Sequence, residues 1–334
     1  MKMRKILQGC AVAALLALAP SLYAGTLGPS VIGMFPKNIG EFAYADLRQA
    51  RQFSWFTQFQ EQVLPPRFRQ FEQFLKSAGL NPNSQVEEMA WALVPSAMSS
   101  ADTAAAVPTS DQILGVALGQ FNPSQAQTFF QSQKLPTVTS HGETLYAFGN
   151  GSGSSDLFFM FLDTNTAAFG QRALLDRMLD VRSGAEQNVM SNEALYPLIN
   201  SANGQGIFWS VLNASYTRLA MNQLVPTASQ FPQAGQMLDK MNSLMITVQG
   251  TSSIQADFHA ICATSQDATT LSQLLQAGLM LEKYQAGQNN PDLGALLDSA
   301  RISPSNSRLD VSFTLTNDQI ANLIRSNTFS LKME

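Results

Sequence analysis

The sequence predicts an α+β protein: two repeats of a β-α-α-β-β-α-β-β-α pattern, forming mostly antiparallel sheets with helices packed on one face. Three observations lead there. Segments of strand-like alternation are joined by short, turn-rich connections, which places consecutive strands side by side and antiparallel. Between them lie helical stripes of apolar residues at three- and four-residue spacing. The order of elements in the first half then recurs in the second.

In the first half, residues 41–47 alternate through Phe42 and Tyr44 and read as a strand. A helix follows over 48–64 with Phe53, Phe56 and Phe59 on one stripe, and Pro65-Pro66 stops it. The next helix, 67–78, carries Phe68, Phe71, Phe74 and Leu75 and ends at Gly79, a C-terminal cap. Strands are predicted at 86–94 and 112–118, separated by a small-residue loop over 95–110. Asn122-Pro123 opens a helix to 132. Strands at 144–148 and 156–163 flank the glycine-dense turn 149–155, and a helix is predicted over 166–180. Residues 157–162 are apolar at every position, as in a central strand covered on both faces.

The second half repeats the order. Strand 206–212 leads to helices 215–225 and 231–241, strands 244–249 and 254–263, helix 267–285, strands 300–303 and 308–315, and a closing helix 317–325. Leu114, Val116, Leu118 and Ala126 answer to Ala256, Phe258, Ala260 and Ala268 at a spacing of 142. Leu157, Phe159, Phe161 and Thr164-Asn165 answer to Leu309, Val311, Phe313 and Thr316-Asn317 at a spacing of 152. The reading is an internal duplication, with a first repeat over 25–182, a connector over 183–204 and a second repeat over 205–334.

Residues 1–24 read as a cleavable signal peptide. Lys2, Arg4 and Lys5 precede an apolar run from Cys10 to Ala19, Pro20 breaks it, and Ala24 offers a small residue at the cut. The run is short of the roughly 20 residues of a spanning helix. Leu7-Gln8-Gly9-Cys10 precedes the apolar stretch instead of following it, which argues against a lipoprotein site. An exported chain, periplasmic or secreted, with no transmembrane segment after cleavage is expected. Loss of the three basic residues takes the net charge from −4 to −7. With only 13% charged residues and no dense basic face, a nucleic-acid partner is not expected. Cys10 leaves with the leader, so Cys262 stands alone and no internal disulfide can form.

The run Phe35-Pro36, Phe42-Ala43-Tyr44-Ala45-Asp46-Leu47 and Ala78-Gly79-Leu80-Asn81-Pro82 resembles a group of exported bacterial proteins of unknown function. Those have an extended strand, a long helix, a glycine-containing helix exit and an internal duplication. The resemblance implies export and fold, and it brings no site residues with it.

Candidate chemistry is sparse. Asp257 and His259 alternate with Ala256, Phe258 and Ala260, so they project together from the polar face of one strand, where they could orient a base, bind a ligand or supply two ligands to a metal, too few for a site on their own. A solvated sheet face is the plainer reading. Cys262 falls on the apolar side of that strand and reads as core. Gly149 to Ser155 joins two strands and lacks both the hydrolase elbow and a following helix, so it reads as a hairpin loop. His141 sits in a turn. The phenylalanine stripes read as core, yet their arginines leave room for a greasy, basic-rimmed surface. Arg51 and Trp55 are its candidate ligand-binding residues, Trp55 being out of phase with its neighbours and expected to be exposed. No metal or cofactor is implied. The sequence points to a non-catalytic envelope or binding protein taking an unknown protein partner or a hydrophobic small ligand. A secreted hydrolase built around Asp257 and His259 is the alternative.

Overall fold

The structure is a computed structural model, and it describes residues 25–63, 66–77, 79–95, 111–153, 156–224, 238–289 and 291–326. The segment 1–24 expected to be a leader, the loop 96–110 and most of the helix expected over 231–241 lie outside these residues. The fold is α+β. Its described strands form one antiparallel sheet of 12 strands.

In chain order the first-half strands are β1 (Glu41–Asp46), β2 (Val86–Pro95), β3 (Asp111–Gly119), β4 (Thr137–Ser140), β5 (Glu143–Phe148), β6 (Leu157–Phe161) and β7 (Thr166–Gln171). The second half adds β8 (Phe208–Asn213), β9 (Met241–Gly250), β10 (Ser253–Cys262), β11 (Arg301–Ser305) and β12 (Arg308–Thr316). Helices are α1 (Pro29–Ile32), α2 (Leu47–Ala50), α3 (Phe56–Val63), α4 (Pro66–Ser77), α5 (Pro82–Gln85), α6 (Pro123–Ser132) and α7 (Arg172–Ser183). They continue with α8 (Tyr196–Ala202), α9 (Ala214–Leu224), α10 (Ser265–Asn289), α11 (Pro291–Ser299) and α12 (Asn317–Arg325). Spatial order is β11-β12-β10-β9-β8-β1-β2-β3-β7-β6-β5-β4. Read outward from the β8–β1 pair, each half lays down its first three strands and then brings a later one, β12 or β7, beside the third.

Three expectations change. Residues 166–171, expected to begin a helix, form strand β7 between β3 and β6. Alternating burial of Thr166, Ala168 and Gly170 suits that slot, and the Gly170 backbone lies so close to the next strand that a Cβ there would be 2.3 Å from the Ile113 carbonyl oxygen. Helix α7 then starts after Gln171. In the sheet β3 and β10 hold matching places, each third outward from the β8–β1 pair, whereas the place matching β12 is taken by β7 and not by β6, which the spacing of 152 pairs with it. Thirdly, helices cover both faces of the sheet. The all-apolar β6 requires this: Phe158 and Met160 join one core and Phe159 the other.

The first face carries the largest core. Phe42, Tyr44, Trp209, Val211, Leu114 and Val116 pack under α7 (Leu174, Leu175, Met178) and under the segment expected to be a connector. That segment supplies Val189, Leu195, Ile199 and Ala202, all fully or nearly buried. Each such large side chain contributes about 1.5–3 kcal/mol by leaving water. On the second face, α6 and α4 cover β5 and β6 through Phe130, Phe71 and Phe74, while α9 and α10 cover β8 to β12 through Tyr216, Ala268 and Leu271. Between the two groups Trp91 and Phe208 stay half-buried, their rings 6.0 Å apart.

Candidate functional site

Strand β10 sets Asp257 and His259 on one face, as its alternation requires, but the two do not act together. The register places His259 opposite Asp310 of β12, and its Nδ1 lies 2.6 Å from the Asp310 carboxylate. Arg308 Nε holds the same carboxylate at 2.8 Å. Asp257 instead accepts two hydrogen bonds from the Gln255 amide, at 2.9 and 3.0 Å. Among the described residues no hydroxyl or thiol shares a hydrogen bond with the His259 ring. Cys262 is buried on the opposite face, and burial, reinforced by Asp267, pushes its thiol up, away from the reactive thiolate.

His141 sits at the β4–β5 hairpin tip. Its ring joins Ser140 Oγ at 3.0 Å to the Asp180 carboxylate at 2.9 Å. The composition is that of a hydrolytic triad, but the order of contacts is set by neighbours in a turn, and both His141 and Asp180 are well exposed. What it does is tie the hairpin to α7.

Among the described residues, Trp55 and Arg51 do not form a basic-rimmed aromatic surface. Trp55 is only 8% exposed, which corrects the expectation that it faces water. It stacks on Phe53 at 5.1 Å, meets Phe59 edge-on at 6.0 Å, and donates its indole N–H to Asn317 Oδ1 at 3.0 Å. The reason is α12, a distant element that lands on the aromatic stripe and supplies both an apolar face and a polar partner. Arg51 directs its guanidinium inward to the carbonyl oxygens of Pro82 and Val86, at 3.1 and 2.5 Å. Burial lowers its pKa, while Asp46 and Glu87 support the charge.

Two features went unread in the sequence. Helix α10 is apolar on two sides. Ala268, Leu271 and Ser272 are buried in the second-face core, whereas Leu274, Met280, Leu281 and Tyr284 stand 37, 72, 53 and 73% exposed. Leu274, Leu281 and Tyr284 fall at i, i+7 and i+10, one stripe nearly three turns long. The other is a carboxylate pair, Asp46 and Glu88, directly opposite each other across β1 and β2 beside Tyr44. Apolar residues all round a long helix were visible in residues 268–284, and that is the signal that could have exposed the first. The second needs the strand register.

Search against known proteins adds the fold and nothing about chemistry. No protein-family model matches the sequence, and no curated protein matches it. Solved structures do match. Crystal form I of TP0453 superposes with a TM-score of 0.51 at 10% identity, over 91% of this chain and 98% of that one. The chain shares its fold with TP0453. Crystal form IV of TP0453 gives 0.50 at 10% identity, over 90% of this chain and 97% of that one. The near-complete coverage of both chains means that the whole described sheet, not one half of it, is what the two have in common.

Proposed function

We propose that the chain is an exported, non-catalytic binding protein that docks a protein partner through the outward stripe of α10. One observation carries this: α10 presents Leu274, Met280, Leu281 and Tyr284 to solvent on a helix whose other side is anchored in the core. A stripe at helical spacing suits insertion into an apolar groove, and methionine and tyrosine adapt well to such contacts. Charge favours a protein over an anionic bilayer, because Lys283, a base beside the stripe, is already held by Asp298 at 3.2 Å. The mirrored strand order supports a duplicated origin, and the leader supports export.

Native mass spectrometry tests the reading on protein taken gently from the compartment to which its host exports it. A partner chain is expected on the wild type and is expected to be lost from the L281E/Y284E double variant. A bare monomer in both, or flotation of the wild type with phospholipid vesicles that the double variant loses, overturns it.

The His259–Asp310 pair keeps a second reading, a hydrolase, in view. Under that reading, H259A abolishes turnover of ester or peptide substrates without changing the fold.

A further inference from the structure

Asp46 accepts two hydrogen bonds from Gln49 and feels the charge of nearby Arg51, but among the described residues only Arg48 stands in ion-pair contact with the Asp46–Glu88 pair. Asp46 is fully buried and Glu88 mostly so, and carboxylates directly opposite on one sheet face repel. Arg48 reaches both, at 3.9 and 3.6 Å, but its side chain is largely exposed and also serves Glu87 at 3.5 Å, so solvent screens it. Tyr44 lies two residues before Asp46 on the same face. Its hydroxyl is buried beside Glu88, close enough to interact with that carboxylate but outside good hydrogen-bond geometry. Buried polar atoms of this kind ordinarily find partners.

The inner mouth of this cluster is occupied by the backbone of Gly25. A Cβ on residue 25 would lie 2.1 Å from Tyr44 Oη, 3.0 Å from Asp46 Oδ2 and 3.3 Å from the Glu88 carboxyl carbon, so only glycine fits. The chain is clamped two residues later, where Leu27 and Asn203 exchange hydrogen bonds of 2.9 Å in both directions. Gly25 also directly follows Ala24, the expected cleavage position. Water, delivered by a signal peptidase, splits the Ala24–Gly25 amide. It leaves a carboxylate on Ala24 and an amine on Gly25, which takes up a proton at neutral pH.

We infer that the α-ammonium of Gly25, created by cleavage of the leader, is the counter-ion of the Asp46–Glu88 pair and a hydrogen-bond donor to the Tyr44 hydroxyl. Before the cut, the same place holds a neutral peptide nitrogen with one hydrogen. After it, Gly25, whose backbone lies against Tyr44, Asp46 and Glu88, carries a cation with three donors within reach of them, with Arg48 and Glu87 at the outer rim. Leader removal therefore completes the fold. The inference rests on the export reading and does not depend on the α10 stripe.

The test uses two mature chains, one beginning at Gly25 and one with a single alanine ahead of it, each as wild type, E88Q and Y44F. With limiting acetylating reagent at neutral pH, the Gly25 amine should react about tenfold more slowly in the wild type than in E88Q, the loss of reactive amine that one pKa unit gives. The added alanine should lower the urea midpoint in the wild type and lose that effect in E88Q, with Y44F intermediate. Equal amine rates and equal midpoints overturn the inference. Intact mass of the natural product locates the cut independently. A chain that keeps residues 1–24 overturns the export step and the inference with it, whereas a first residue other than Gly25, or an unprotected amine on a chain that does begin at Gly25, overturns the inference alone.

Discussion

Asp46 closes the end of β1 and caps α2 with the same carboxylate: its Oδ1 accepts the Gln49 backbone N–H at 2.9 Å while Oδ2 accepts the Gln49 side-chain amide at 2.9 Å. The residue is fully buried and stands opposite Glu88. One acidic side chain thus sets the strand-to-helix corner and loads the β1–β2 pair with like charge.

Asp46→Ala should destabilise the protein by about 1–2 kcal/mol, the usual range for a lost N-cap. Asp46→Asn keeps the cap acceptor and should cost less than Asp46→Ala. Urea denaturation of the two variants checks the order; equal losses would show that the charge, not the cap, is what the fold uses.

Burial pushes the Glu88 carboxyl above its usual range, with Asp46 and Glu87 adding to the rise and Tyr44 and Arg48 opposing it. For an acid with a raised folded pKa, the native state binds more protons than the unfolded chain. In the chain that keeps its leader, this contribution is fully present below the unfolded pKa, near 4.5, and is lost as pH rises through the folded value. Unfolding free energies measured from pH 4 to 7 should therefore carry a falling component that E88Q removes. A slope identical in wild type and E88Q would refute the assignment.

Asn317 is the polar anchor of Trp55, and its own amide also donates to the carbonyl oxygens of Thr251 and Ser252 at 3.2 and 3.3 Å. Asn317→Ala leaves a buried indole N–H without its partner, so a loss of about 1–3 kcal/mol is expected. Tryptophan fluorescence during urea unfolding reads both the stability and the change around Trp55.

Cys262 should resist thiol reagents in the native protein, being buried with its thiol pushed up. On a chain made to begin at Gly25, titration with a disulfide reagent should find almost no fast thiol in buffer and one in strong denaturant. Rapid native labelling would mean that β10 opens locally.

Alternation and helical stripes were legible because they depend on near neighbours in the chain. They located β1, β2, β3, β10 and β12, the Gly79 stop and the Thr316 helix entry, whose capping box with Gln319 is present in full. They failed at 166–171, where an apolar stretch of ordinary helical composition is held extended by hydrogen bonds from β3 and β6 on either side. They also misjudged Trp55, whose exposure depends on an asparagine 262 positions away. The amino-acid order by itself therefore determined the α+β class and the antiparallel neighbours. Only the tertiary structure decided that Asp46 confronts Glu88, that His259 meets Asp310 instead of Asp257, and that Leu274, Met280, Leu281 and Tyr284 of α10 stay exposed. Each of those is a contact between distant segments, set by sheet register and helix placement, which no local period encodes.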